Sequence, residues 1–221
     1  MTESTTIYVV DDDEAVLLSV QAMLKQHGYH CRCYLSASEF LGDAPRDQPG
    51  CVITDLQMPH ISGVELQQRL IADDSPLAVV VVTGVADVPT TVALMEKGAV
   101  TLLEKPYNHD DLVHGVERAL EISQQRWLEG QNRKSIRERL ATLSEDECRV
   151  MECMLTGQPN KAVAHRLELS MRTVDRRRQA VLEKMDVRTA PELALLLGAA
   201  GITFPAVGST ESGHETKAAV Q

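Results

Sequence analysis

The stretch Cys51–Gly63, CVITDLQMPHISG, carries a short apolar run that stops on a carboxylate, Asp55, and is then punctuated by Pro59 and Gly63. The run is too short for a helix and rich in β-branched residues, as a strand buried on both faces would be. Proline and glycine just beyond it mark a loop. Such a strand delivers one acid to an open rim. Alone, that acid need only cap the next helix, so its role depends on what else the chain brings there.

Working outward, IYVV at 7–10 runs directly into Asp11, Asp12 and Asp13, and a helical pattern follows with Val16, Leu17, Val20, Met23 and Leu24 on one face. Residues 30–34 form a second short strand, and Ser36 with Glu39 makes a capping box. Ser62 with Glu65 makes another, opening a helix that buries Val64, Leu66, Leu70 and Ile71 in part. LAVVVV at 77–82 leads into Thr83-Gly84, a helix continues through Val92 and Met95 to Gly98, and AVTLLE at 99–104 reaches Lys105-Pro106. Strands alternating with helices at this spacing predict a parallel α/β sheet in the flavodoxin-like order 2-1-3-4-5, with sites at the carboxyl ends of its strands.

The polar outliers Asp11, Asp12, Asp55, Thr83 and Lys105 all fall on that rim. Three carboxylates there repel one another, which a hard divalent cation with oxygen ligands, best Mg²⁺, would relieve. Lys105 and the Thr83 hydroxyl complete an oxyanion pocket. A phosphoryl group on Asp55 would bring about −1.5 to −2 charges, met by the cation, the ammonium and the hydroxyl. Asp55 is therefore expected to be the nucleophile that forms an acyl phosphate.

The motifs VVDDD, TDLQMP, TG and EKP resemble those of bacterial two-component receiver domains over roughly residues 5–125. The resemblance implies that Asp55 is the phosphoacceptor, that Asp12, Asp55 and the Gln57 carbonyl bind Mg²⁺ directly, and that Asp11 does so through water. It also implies that Thr83 and Lys105 form the switch pair, with Lys105-Pro106 cis. Leu102 departs from the family, which usually has an aromatic residue three positions before the lysine.

Composition agrees with two domains that have different partners. The 221 residues are 43% hydrophobic, which excludes disorder for most of the chain. Residues 1–130 hold 8 Lys/Arg against 20 Asp/Glu, a net of −12, whereas 131–221 hold 14 against 12, a net of +2. The opening MTESTT has no basic or apolar leader and no apolar run could span a bilayer, so a cytoplasmic protein without membrane contact is expected. Five cysteines without C-x-x-C spacing suit reduced thiols. Cys31 and Cys33 share a strand face, which suits packing, with a regulatory pair as the alternative.

The predicted boundaries are a receiver at 1–125, a helical linker at 126–139 interrupted near Gly130, a DNA-binding domain at 140–205 and a disordered tail at 206–221. The helix from about 109 has Leu112, Val116, Ala119 and Leu120 on one face, and Trp127 beyond it either contacts a second copy or covers apolar surface. Ser144 with Glu147 opens a further helix that Gly157 ends. A short one follows from Asn160 to near Leu167, a third from Ser170 to Met185, and a fourth opens at Thr189 with Glu192. The LELS turn before Met171 makes the middle pair a helix-turn-helix. On residues 171–185, Val174, Val181 and Met185 share one face, opposite Arg172, Arg176, Gln179 and Glu183. Arg176 and Gln179 are therefore the candidates for reading bases. Arg177, Arg178 and Lys161 are candidates for phosphates, and Arg172 and Thr173 complete the DNA-facing set.

Residues 140–202 resemble the four-helix LuxR-type DNA-binding domain, departing from it at Arg177, where histidine is common. Receiver followed by this output domain resembles the NarL/FixJ class of response regulators. The resemblance implies a transcriptional regulator that takes a phosphoryl group from a sensor histidine kinase, dimerises through the face near the fourth strand's following helix and the fifth strand, and binds promoter DNA. LALLLGAAGI in the last helix would join the dimer surface of the bound form, and RNA polymerase is a further candidate partner. Two other functions compete. An aspartyl-phosphate phosphohydrolase would use the same acids, but Gln57 stands where such enzymes place their general acid. An interaction module would bind protein or RNA through the output domain.

Overall fold

Among the described residues, five short segments become the parallel strands β1 (Thr6–Val10), β2 (Cys31–Tyr34), β3 (Gly50–Asp55), β4 (Ala78–Thr83) and β5 (Thr101–Glu104), in the order β2-β1-β3-β4-β5. The computed structural model describes residues 6–84, 92, 94–96 and 98–202. Two compact units divide the chain, Met1–Gln131 and Asn132–Gln221, and the division falls within the stretch predicted as linker.

In the first unit, helices α1 (Glu14–Gln26), α2 (Ala37–Asp43), α3 (Gly63–Ala72) and the amino-terminal part of α4 (His109–Ala141) cover both faces of the sheet. On one face, Leu17, Val20 and Leu24 of α1 and Leu112, Val116 and Ala119 of α4 pack on Ile7, Val9, Ile53 and Val80. On the other, Phe40 of α2 and Leu66 and Leu70 of α3 pack on Tyr8, Val10, Val52 and Val81. Strand residues alternate between the two clusters because successive side chains point to opposite faces. This is why β3 and β4 read as unbroken apolar runs.

Register aligns the strand ends. Val10 lies beside Thr54, Asp55 beside Val82 and Thr83 beside Glu104. The Lys105 N–H donates to the Thr83 carbonyl at 2.7 Å, extending the β4–β5 pairing to the residue that carries the ammonium. Ser62 caps α3 with a full capping box, and Gly63 follows immediately. A Cβ at Gly63 would collide with the Asp55 carbonyl, so only glycine lets α3 start this close to the mouth of β3.

Several local expectations are corrected. Helix α4 runs through Gly130 without interruption, because one glycine costs only about 1 kcal/mol in a helix interior. Ser36 accepts the Glu39 N–H, but the Glu39 carboxylate bonds the Leu35 N–H, one residue before the cap, so half of that capping box forms. Ile71 is exposed rather than part of the core. The helix expected through Val92 and Met95 lies largely outside the described residues. Its end is visible, with Gly98 at φ +86° and its N–H donating to the Met95 carbonyl. The tail expected to be disordered also lies outside them. All five cysteines are free, and Cys31 and Cys33 pack against the α1/α4 side of the sheet, where burial pushes the Cys31 thiol up to about 11.

The second unit holds α5 (Glu145–Leu155), α6 (Asn160–Arg166), α7 (Met171–Met185) and α8 (Ala190–Ala199) around Val150, Met151, Val163, Val174, Val181, Met185, Leu193 and Leu197. Among the described residues no helix is long and apolar enough to cross a membrane.

Ser144 and Glu147 form a complete capping box at the start of α5, and the Glu147 carboxylate also takes the Lys184 ammonium at 2.6 Å. The Lys184 hydrogen bond, with the Ser144 N–H, holds the Glu147 carboxyl below its ordinary value of 4.5. A depressed folded pKa contributes stability that is present above that ordinary value and lost as pH falls through the folded one. Glu147→Gln keeps a capping side chain and removes the charge. In urea titrations of the full chain, the variant should be less stable by about 1 kcal/mol at neutral pH and should lose less stability than wild type on acidification below 4.5.

Candidate phosphoacceptor site and nucleic-acid interface

Three strand ends bring Asp11, Asp55 and Lys105 together. The Lys105 ammonium donates to Asp55 Oδ2 at 2.9 Å and to Asp11 Oδ2 at 3.1 Å. Each carboxylate is also held from behind, Asp11 Oδ1 by the Asp13 N–H at 2.9 Å and Asp55 Oδ1 by the Gln57 N–H at 3.1 Å. The side chains are 5%, 16% and 26% exposed for Asp11, Asp55 and Lys105, so Asp55 is reachable at the rim while Asp11 lies deeper. Burial works against the ammonium, but the hydrogen bonds and charges of Asp55 and Asp11 outweigh it and leave Lys105 above the ordinary lysine value. Thr83 is buried at the end of β4, on the same rim.

The metal set assembles only in part. Among the described residues, no three His, Cys, Asp or Glu side chains are grouped so as to hold a metal ion. Asp12 is exposed, whereas Asp11 and Asp55 meet at Lys105. The donors are all oxygen, two carboxylates converging on one point with a third beside them in sequence, and this chemistry suits a hard cation such as Mg²⁺. The Lys105-Pro106 peptide is cis. Leu102 is partly buried and packs with the α2/α3 side of the sheet.

The sequence reading passed over Tyr107. It is half-buried close to Lys105 and Asp11, and burial pushes its phenol above the ordinary value, with Lys105 opposing and Asp11 reinforcing. Its signal was only an aromatic residue directly after the cis proline. Ser123 was missed as well. It is fully buried on α4, and its hydroxyl accepts the Gly50 N–H at 2.8 Å, tying that helix to the first residue of the Asp55 strand.

In the second unit, α6 and α7 flank a four-residue turn that bends at Glu168, φ +55°, and closes with the Leu169 N–H on the Ala164 carbonyl at 2.9 Å. Ser170 caps α7 by accepting the Thr173 N–H. Arg172, Arg176 and Gln179 are exposed, Lys161 is exposed on α6, and Thr173 and Arg178 are half-buried. The Gln179 amide donates to Glu183 at 2.9 Å. The guanidinium of Arg177, a candidate for phosphates, pairs with Asp146 of α5, and its side chain is only 20% exposed.

Comparison with known proteins places both halves. Residues 7–117 match the response regulator receiver domain, and residues 141–197 match the luxR family of bacterial regulatory proteins. The chain is 38% identical over 203 residues to the transcriptional regulatory protein FixJ of Azorhizobium caulinodans, covering 91% of this chain and 96% of that one. The chain belongs to the NarL/FixJ class of response regulators.

This response regulator is also 31% identical over 190 residues to the response regulator protein TodT of Pseudomonas putida F1, covering 86% and 84% of the two chains. Among solved structures, response regulator StyR aligns with a TM-score of 0.75 at 30% identity, covering 89% of this chain and 99% of that one. Full-length FixJ from B. japonicum aligns at 0.54 with 35% identity, covering 92% and 100%. The response regulator is thus a phosphorylation-controlled transcriptional regulator, not a classical enzyme, and its two domains imply a kinase and DNA as partners. Receiver domains in general bind Mg²⁺ for phosphorylation.

Proposed function

We propose that Asp55 accepts the phosphoryl group from a sensor histidine kinase, and that the modified chain dimerises and binds promoter DNA through α7. The observation that carries this reading is the convergence of the Asp55 and Asp11 carboxylates on the Lys105 ammonium at the carboxyl ends of the strands. An Asp55 carboxylate oxygen attacks phosphorus, the bond from phosphorus to the donor's histidine nitrogen breaks, and that nitrogen keeps the electron pair. The Gln57 N–H and the Lys105 ammonium already orient the carboxylate. After transfer, Lys105 and the Thr83 hydroxyl offer a cation and a donor to the new oxyanion.

Asp11, Asp12, Asp55 and the Gln57 carbonyl would hold Mg²⁺, which offsets negative charge on the phosphoryl oxygens when bound. Gln57 cannot deliver a proton, so slow loss of the chain's own phosphate is expected without turnover of a small substrate.

On DNA, Arg176 and Gln179 would read bases, and Lys161, Arg172, Thr173 and Arg178 would contact the backbone. RNA polymerase is the further partner such a regulator would engage at a promoter. Light scattering with Mg²⁺ and beryllofluoride, which stands in for the phosphoryl group, tests the switch. A monomer-to-dimer shift in wild type and none in Asp55→Asn is the expected outcome. No shift in wild type, with the mimic bound, would overturn phosphorylation-driven dimerisation.

A further inference from the structure

We propose that Asp146 withholds Arg177 from DNA, making Arg177 a positioning residue that docks α7 on α5 instead of a phosphate contact. The inference rests on the reading of α7 as the DNA-facing helix. Three arginines follow one another there, and they differ in surroundings. Arg176 is exposed on the outer face with Arg172 and Gln179. Arg177 turns back along the flank, where its Nη1 is buried and meets Asp146 Oδ2, while no hydrogen-bond partner is aligned with that nitrogen. The contact is therefore one of charge, across two helices.

Taking a guanidinium out of water requires a counter-charge. Asp146 supplies it from the first turn of α5, where a carboxylate is independently favoured by the helix dipole. The Ser144–Glu147 capping box fixes that turn, and the Lys184 ammonium bonded to Glu147 and to the Thr142 carbonyl ties it to the far end of α7. The acid that holds Arg177 thus sits on a turn braced from both sides. Among the described residues Asp146 is the acid within ion-pair distance of Arg177, and its other cation is the exposed Arg149 of its own helix at 4.0 Å; without Asp146, Arg177 loses its ion pair and turns outward beside Arg176.

Counting released counterions tests this directly, because each phosphate neutralised on duplex DNA changes the slope of log K against log salt by about 0.9. Full-length protein is titrated onto a fluorescent duplex of arbitrary sequence across a salt series. R172Q, which removes an exposed backbone contact, should flatten the slope by about 0.9, whereas R177Q should leave it at the wild-type value. D146A should steepen it by about the same amount and tighten binding several-fold at low salt, beyond the effect of E145A, which removes a neighbouring exposed charge without freeing an arginine. The double variant D146A/R177Q should return to the slope of E145A. Circular dichroism melts confirm that each variant is folded at the assay temperature.

Equal flattening by R172Q and R177Q would overturn the withholding alone, as would D146A matching E145A. No flattening by R172Q would overturn the DNA-facing assignment of α7, and this proposal with it.

Discussion

On treatment with acetyl phosphate and Mg²⁺, the wild-type chain is expected to take up one phosphoryl group and the Asp55→Asn variant none, as read by intact-protein mass spectrometry. The loss should be complete, because an amide oxygen is not a competent nucleophile toward phosphorus and no other acid on the rim is placed as Asp55 is. Asp11 is nearly fully buried and held by both Lys105 and the Asp13 N–H, while Asp12 makes no contact with Lys105 in the structure. Asparagine can keep the Gln57 hydrogen bond, and Lys105 retains Asp11, so the variant should stay folded and report on chemistry alone. A phosphoryl adduct surviving on Asp55→Asn would show that the acceptor lies elsewhere.

The second large effect concerns Lys105. Removing its charge with Lys105→Met leaves two carboxylates facing each other, and breaking a buried pair costs about 3–5 kcal/mol. Lys105 is 26% exposed, so a loss of about 2 kcal/mol is the reasonable expectation after solvent screening. Mg²⁺ should then stabilise the variant more than it stabilises wild type, since the cation replaces the missing positive charge between Asp11 and Asp55. Urea titrations with and without Mg²⁺ measure the difference. Equal responses of the two proteins would show that these carboxylates do not hold the cation. The variant should still accept phosphate on Asp55, more slowly, because the attacking oxygen survives while one of the charges stabilising the developing oxyanion is gone.

Much of the receiver half was legible because its signals are local. Runs rich in β-branched residues at β1, β3 and β4, each leading into a polar rim residue, dictate strands, and the impossibility of joining parallel strands by tight turns dictates the intervening helices. The rim followed at once, since the carboxyl end of every strand lies on one edge of such a sheet. What went unread was contact between distant elements. Ser123 on α4 bonds Gly50 at the opposite end of β3 from Asp55, and the half-buried Tyr107 lies within electrostatic reach of Lys105 and Asp11. Neither residue carries a local pattern that separates it from an ordinary helical serine or loop tyrosine. Gly130 misled for the converse reason, because a local helix penalty was outweighed by the helix on either side of it.

The sequence by itself determined the sheet, the identity of the rim residues and the outer face of α7, because strand alternation and helical periodicity are properties of neighbouring residues. Only the tertiary structure decided which charges meet. Lys105 bridges Asp11 and Asp55, which are 94 and 50 positions away, and that depends on strand register. Arg177 turns to Asp146 instead of outward, and that depends on how α7 docks against α5. A side chain's charge is written in the chain, but its partner is set by the packing of elements that local propensity does not encode.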